Sequence, residues 1–263
     1  MAGDDLKNLV IGLVALLLIV AGGFYMQKFK GTTETAGDIR EVKWEMKNRI
    51  GNEKTDITFQ LFNKNNNEIR GVNDRIRAII VDEQLKGIQQ INPAFAGNGS
   101  YKLAARGMKG KAYTVFLYED HGKTEQSFSK KNFGEEEKEK KQKKQKNLIE
   151  DTVLTKKIGD YQMSLLFGTL HPNEAATLTF QLQMKKGESV KFSSGTGEQG
   201  ALYIVDEKRE HFLYAVPVNE EEQLQYRITF PEEGIYKIWG TFYINGKKYE
   251  KEFILQVQKR KSS

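Results

Sequence analysis

The chain contains one pattern twice. Thr58-Phe59-Gln60-Leu61 recurs as Thr179-Phe180-Gln181-Leu182, and Ile80-Val81-Asp82-Glu83 recurs as Ile204-Val205-Asp206-Glu207. Pro93 and Pro217 then follow at the same spacing from those motifs. Tyr113-Thr114-Val115-Phe116 parallels Tyr236-Lys237-Ile238-Trp239, and His121-Gly122-Lys123 parallels Asn245-Gly246-Lys247. One short identity carries little weight. Several matched blocks in one order, at a nearly constant offset, mean a duplicated domain, which fixes the architecture before any element is assigned.

The repeated blocks read as strands. Ile57, Phe59 and Leu61 alternate with polar residues, and Leu178, Phe180 and Leu182 do the same in the second copy; a period of two puts each set on one face of a strand. Tyr226–Phe230 and Ile235–Phe242 are rich in aromatic and β-branched residues, separated by Pro231-Glu232-Glu233-Gly234, a turn sequence. Asn245-Gly246 is a strong hairpin signal before the last strand, Tyr249–Gln258. Beyond the N-terminal segment and a charged linker, no long helical period competes. Each repeat therefore has the strand count and spacing of an immunoglobulin-like sandwich of roughly 100 residues. Two such units fit a chain of 263 residues.

Leu9–Met26 carries no charge. It is long enough to cross a hydrocarbon core of about 30 Å as a helix. Phe24 and Tyr25 sit where aromatic rings suit the interface. A cleaved signal peptide would need a basic leader, whereas Met1–Asn8 carries Asp4 and Asp5 against Lys7. The expectation is a retained anchor. Lys28 and Lys30 after it would, by the positive-inside rule alone, keep the C-terminal side in the cytoplasm. Long domains translocate largely regardless of such a small bias, so the domains are expected outside the cytoplasmic membrane. The resulting organisation is an anchor at 1–30, a stalk at 31–40, a first repeat at 41–133, a charged linker at 134–152 and a second repeat at 153–260.

The net charge of +6 is unevenly spread. Much of the excess lies in Lys138, Lys140, Lys141, Lys143, Lys144 and Lys146, within a segment that has no apolar residue and cannot join a core. The plain reading is a solvated linker. The sharper one is contact with a polyanion or an anionic lipid surface, where each Lys contributes roughly 1 kcal/mol. Scattered lysines elsewhere imply no nucleic-acid binding. Cysteine is absent, which excludes disulfides, thiolate metal sites and a Cys nucleophile.

The search for chemistry returns little. His121, His171 and His211 show no metal-ligand spacing. No G-x-S-x-G elbow occurs. Gly195-Thr196-Gly197 lacks the Lys and helix of a phosphate cradle. Asp82-Glu83 and Asp206-Glu207 are adjacent pairs whose side chains would diverge on a strand, so a turn role common to both copies is the economical reading. Met46, Met108, Met163 and Met184 are isolated, and Met163 and Met184 read as core. No catalytic residue, cofactor or metal ligand is assigned, and the chain is read as no enzyme. Phe212, Tyr214 and Val216 lie in an apolar, aromatic run that serves either as a core strand or as a partner surface.

The repeats resemble the YtkA-like domain of bacterial extracytoplasmic proteins. The likeness rests on Ile-Val-Asp-Glu, a following Pro, and the run Phe230-Pro231-Glu232-Glu233-Gly234-Ile235-Tyr236-Lys237-Ile238-Trp239, with Met108–Tyr113 as a weaker counterpart in the first copy. The resemblance implies an immunoglobulin-like fold outside the cytoplasmic membrane and, in some members, a link to copper through H-x-H-P. Here Gln90-Ile91-Asn92-Pro93 and Tyr214-Ala215-Val216-Pro217 keep the prolines and lack both histidines. The expected fold class is all-β, two tandem immunoglobulin-like sandwiches behind a single N-terminal transmembrane helix. The expected function is a membrane-anchored, non-enzymatic binding or assembly module with a protein partner. The alternative is extracytoplasmic copper handling with degenerate ligand sites.

Overall fold

The computed structural model describes residues 39–48, 54–72, 74–106, 112–133, 148–183, 190, 192–193, 195, 197, 200–219 and 223–260. The expected anchor at 1–30, Met108, Met184 and the lysines from Lys138 to Lys146 lie outside them. Every regular element among the described residues is a β-strand.

The first repeat supplies β1 (Ile39–Asn48), β2 (Lys54–Asn63), β3 (Ile76–Asp82), β4 (Ile88–Ile91), β5 (Ala94–Gly97), β6 (Ser100–Arg106), β7 (Tyr113–Glu119), β8 (Glu125–Gln126) and β9 (Ser129–Phe133). The second supplies β10 (Thr155–Ile158), β11 (Tyr161–Leu166), β12 (Ala175–Gln183), β13 (Ala201–Asp206), β14 (Phe212–Ala215), β15 (Gln223–Thr229), β16 (Gly234–Ile244) and β17 (Lys247–Val257). Four antiparallel sheets result, in the orders β1-β2-β6-β5, β4-β3-β7-β9, β17-β16-β13-β14-β8 and β10-β11-β12-β15.

The duplication read in the sequence is a duplication of topology. β1-β2-β6 answers β11-β12-β15, and β4-β3-β7-β9 answers β14-β13-β16-β17. Lettered in chain order as A, B, C, C′, D, E, F and G, leaving out β8, the first repeat forms an A-B-E-D sheet facing a C′-C-F-G sheet, the strand order of immunoglobulin-like sandwiches. The second repeat keeps A-B-E and C′-C-F-G, shows no D strand among the described residues, and adds β10 outside A. Tyr236 strengthens the likeness. From the start of the F-equivalent β16, its hydroxyl donates to Glu232 O at 2.9 Å and accepts from Glu232 N at 3.3 Å, pinning the turn before the strand as a tyrosine corner does.

Each sandwich has its own core. Ile57, Phe59, Leu61, Tyr101 and Leu103 on one sheet meet Ile76, Ala78, Ile80, Val115 and Leu117 on the other. In the second repeat, Met163, Leu178, Phe180 and Tyr226 meet Leu202, Ile204, Ile238, Phe242 and Phe253. The outer sheets are buried on one face only, which is why β2 and β12 alternate.

The two middle sheets are buried on both faces. Ile79, Val81, Phe116 and Tyr118 from the first repeat form a third apolar layer with Tyr203, Val205, Phe212, Tyr214, Val216 and Trp239 from the second. Sheets buried on both faces need continuous apolar runs rather than alternation. Ala78-Ile79-Ile80-Val81 and Ala201-Leu202-Tyr203-Ile204-Val205 provide them, one parity serving the sandwich core and the other the layer between sandwiches.

Candidate functional site

The Ile-Val-Asp-Glu motif ends a strand in the same way in both copies. The Asp82 carboxylate accepts from Gln84 N at 2.8 Å, Lys86 N at 3.2 Å and Gly87 N at 3.0 Å. That of Asp206 accepts from Lys208 N at 3.1 Å and His211 N at 2.5 Å. Each turn closes with a main-chain bond onto the Asp carbonyl from the residue three positions on, Leu85 or Arg209, and both carry positive φ, 51° and 57°. Burial raises the Asp206 pKa, while the backbone bond from His211 and the nearby His211 ring oppose that rise. These aspartates therefore bind their own backbone.

The motif also positions the junction between repeats. Leu85, at the tip of the first turn, is buried in the inter-sandwich layer. Its carbonyl accepts a 2.8 Å bond from Lys237 Nζ of β16. Lys237 is buried, pairs with Glu252 at 2.7 Å and lies 4.9 Å from the Trp239 ring centroid. A buried ammonium is tolerated only with such partners, and this one takes them from both sandwiches.

On the opposite flank of the junction, the first repeat reaches across. After β7 the chain leaves its own sheet, and β8 pairs with β14, Gln126 opposite Leu213 and Glu125 opposite Tyr214. Ser127 N extends this to Phe212 O at 3.2 Å, and Phe128 N returns to Leu117 O at 2.9 Å. Lys130 pairs with Glu210, and Thr124 Oγ1 bonds Arg227 O at 3.3 Å. Leu148 N reaches Glu207 Oε1 at 2.9 Å, and Asp151 N reaches Ile254 O at 2.9 Å. The last residues assigned to the linker are thus already stitched to the second sandwich.

Phe212, Tyr214 and Val216 are all buried here. Phe212 stacks on Phe116 with centroids 5.7 Å apart, and Tyr118 lies 5.1 Å from Phe212 and 4.9 Å from Tyr214. The alternate residues Leu213 and Ala215 point into their own core. The run therefore serves two layers at once, and the surface its aromatic parity meets belongs to the same chain. Burial beside neighbouring tyrosines and Asp120 raises the pKa of Tyr118 and Tyr214, and it pushes that of Tyr203 up to about 12.

Where β4 runs beside β16 and β17, the layer opens into a groove of about 420 Å³, within the range of small-ligand sites. Ile88 and Gln90 form one wall, and Trp239, Thr241, Glu250, Lys251 and Glu252 form the other, with Lys156 at the end. Trp239 Nε1 is buried and makes no hydrogen bond among the described residues. Lys156 is held by Asp151 at 2.5 Å and by Glu252 O at 2.9 Å. The lining balances two ammonium groups against two carboxylates, so it favours neither sign of ligand charge.

The histidines stay apart. His121 Nε2 lies 2.9 Å from Glu119, His171 Nδ1 lies 2.8 Å from Gln258 O, and His211 Nε2 lies 3.5 Å from Glu232. No group of three metal-ligating side chains converges among the described residues. Met163 is in the second core, and no Met–His pair forms part of the groove lining. Sequence reasoning missed both the groove and the crossing of β8. The sequence shows only that the connections differ, a tight Asn245-Gly246 hairpin in one repeat against the longer polar segment 120–127 in the other, and a two-residue strand leaves no period there to read.

A family model described as a domain of unknown function, DUF8832, matches residues 156–259, which is the second sandwich from β10 to just past β17. No curated protein matches the chain. Among solved structures, the chain is similar to an Escherichia coli adhesin, FdeC, at 14% identity with a TM-score of 0.26. That likeness covers 82% of this chain and 64% of the other, so the chain spans less than two thirds of the adhesin chain, and a similarity this shallow carries no argument about function.

Proposed function

We propose that the chain is a membrane-tethered, extracytoplasmic, non-enzymatic binding or assembly module. The observation that carries the reading is the fusion of two immunoglobulin-like sandwiches into one body by a shared aromatic layer, a crossing strand and a buried lysine. Such a body holds strand edges, end loops and the junction groove in fixed relation, which suits recognition of a macromolecule. Its two conserved-in-copy acidic motifs are spent on turns, leaving them no catalytic part. The uncharged segment Leu9–Met26 supports the tether, and the resemblance to YtkA-like domains supports placement outside the cytoplasmic membrane.

Protease shaving of intact protoplasts carrying a C-terminally tagged chain tests this. Loss of the tag without lysis is the expected result. Protection of the tag until lysis overturns the placement and moves the Lys-rich segment to the anionic inner leaflet as the first contact to examine.

A further inference from the structure

The geometry points to the junction groove as a site for a small neutral ligand of the phenol class, one aromatic ring carrying a hydroxyl. The argument comes from a pseudo-two-fold relation between the repeats. Ile88 and Gln90 pair with Val81 and Ile79, as Phe212 and Tyr214 pair with Val205 and Tyr203. Phe116 and Tyr118 pair with Ile79 and Arg77, as Trp239 and Thr241 pair with Tyr203 and Ala201. The counterparts of Phe116, Tyr118, Phe212 and Tyr214 are therefore Trp239, Thr241, Ile88 and Gln90. In one half of the junction the first four meet ring on ring. In the other half all four counterparts line the groove. A two-fold contact uses each surface twice. Here the second use puts Thr241, Gln90 and Ile88 where the first has two tyrosines and a phenylalanine. Interiors pack to nearly crystalline density, so the missing rings leave their room behind as the groove.

The filled half defines what the open half takes. A ring between Ile88 and Trp239 would stand where tyrosine rings stand beside Phe116 and Phe212, and the indole gives it an aromatic partner. A volume of about 420 Å³ suits a single-ring molecule. Trp239 is 7% exposed, and its indole N–H has no acceptor among the described residues. A ligand hydroxyl is an acceptor of the kind it lacks, and Thr241 and Gln90 add a hydroxyl and an amide to the lining. Three of the four charged residues in the lining are already paired: Lys156 with Asp151, Glu252 with Lys237 and Glu250 with Lys248. That favours a neutral ligand. The repeats hold no spare ring for the space, because every aromatic residue from 39 to 263 is among the described ones and of these only Trp239 lines the groove.

This inference rests on the reading of the chain as a binding module, and its test is independent of membrane placement. The full chain, labelled with ¹⁵N in detergent micelles, is titrated with 4-hydroxybenzyl alcohol while its two indole N–H resonances are followed by NMR. Trp239 is expected to shift saturably with a Kd on the order of 1 mM. Trp44, packed between Phe59 and Phe133, is expected to stay still and serves as the internal control. Gln90→Tyr restores a ring of the filled half at an exposed position and is expected to weaken binding at least tenfold with Trp44 unmoved. Trp239→Phe, read at the Thr241 amide, is expected to weaken it about fivefold through the lost donor. The saturated analogue 4-(hydroxymethyl)cyclohexanol is expected to shift nothing. No saturable shift with millimolar probe overturns the proposal, as does an equal response to the saturated analogue or unchanged binding in Gln90→Tyr. Tighter binding of N-acetyl-L-tyrosinamide than of 4-hydroxybenzyl alcohol would assign the space to a polypeptide side chain and overturn the small-ligand site. If the probe binds while shaving places the domains in the cytoplasm, the site stands and the extracytoplasmic reading falls.

Discussion

Asp82 and Asp206 show how a pair of acidic motifs can recur for structural reasons alone. Each carboxylate gathers backbone N–H groups that would otherwise be left unsatisfied at the end of a nearly buried strand. Asp82→Ala and Asp206→Ala are each expected to cost about 1–3 kcal/mol in urea unfolding, with Asn at either position costing less because one acceptor remains. Tyr236 makes a second residue-scale case. Burial pushes its pKa up to about 12, above the unfolded value of 10.0. The folded state therefore holds the phenol proton more tightly than the unfolded chain does. Its contribution is complete below pH 10 and is lost as pH rises toward 12, and Tyr203 behaves in the same way. Tyr236→Phe is expected to lose about 1–2 kcal/mol at neutral pH through its hydroxyl bonds to the turn. It should also show a shallower fall in stability above pH 10, read from denaturant midpoints across the alkaline range.

At the scale of elements, legibility followed burial. The outer strands β2 and β12 meet water on one face, so their alternation announced both strand and core face. The middle strands β3 and β13 are buried on both faces, and period alone assigns their residues to no particular layer. The run Phe212–Val216 left core and partner surface open for that reason: one parity is core and the other is interface. β8 was unreadable because a two-residue strand has no period, and only its partner β14 defines it. The crossing makes its own prediction. Replacing Glu125 and Gln126 together by proline removes ladder donors. It is expected to cost about 1–3 kcal/mol and to speed amide exchange along 212–215, with β12 and β15 unchanged. Equal exchange at 212–215 in variant and parent would show that β8 does not seal that edge.

At the scale of the molecule, the junction decides whether two repeats behave as two domains or one. Tandem sandwiches joined only by a linker unfold separately, as beads do. Here Phe116, Tyr118, Phe212, Tyr214 and Trp239 are withdrawn from water by contact between repeats, and Lys237 would be a bare buried ammonium without Leu85 and Glu252. Neither middle sheet can shed its partner without exposing that aromatic face, so one cooperative transition is expected in calorimetry. Phe212→Ala removes a ring buried to 1% exposure and stacked on Phe116, and should cost about 3–5 kcal/mol. Because the ring lies between the sandwiches and outside both cores, the loss falls on their coupling. The variant is therefore expected to unfold in two steps where the parent unfolds in one. Leu213→Ala, one residue along and pointing into the second core, should lower the single transition without splitting it. If Phe212→Ala merely lowers one transition as Leu213→Ala does, the coupling lies in β8 and the stitched segment 148–151 rather than in the aromatic layer. The double-proline variant would then be the one that separates the repeats.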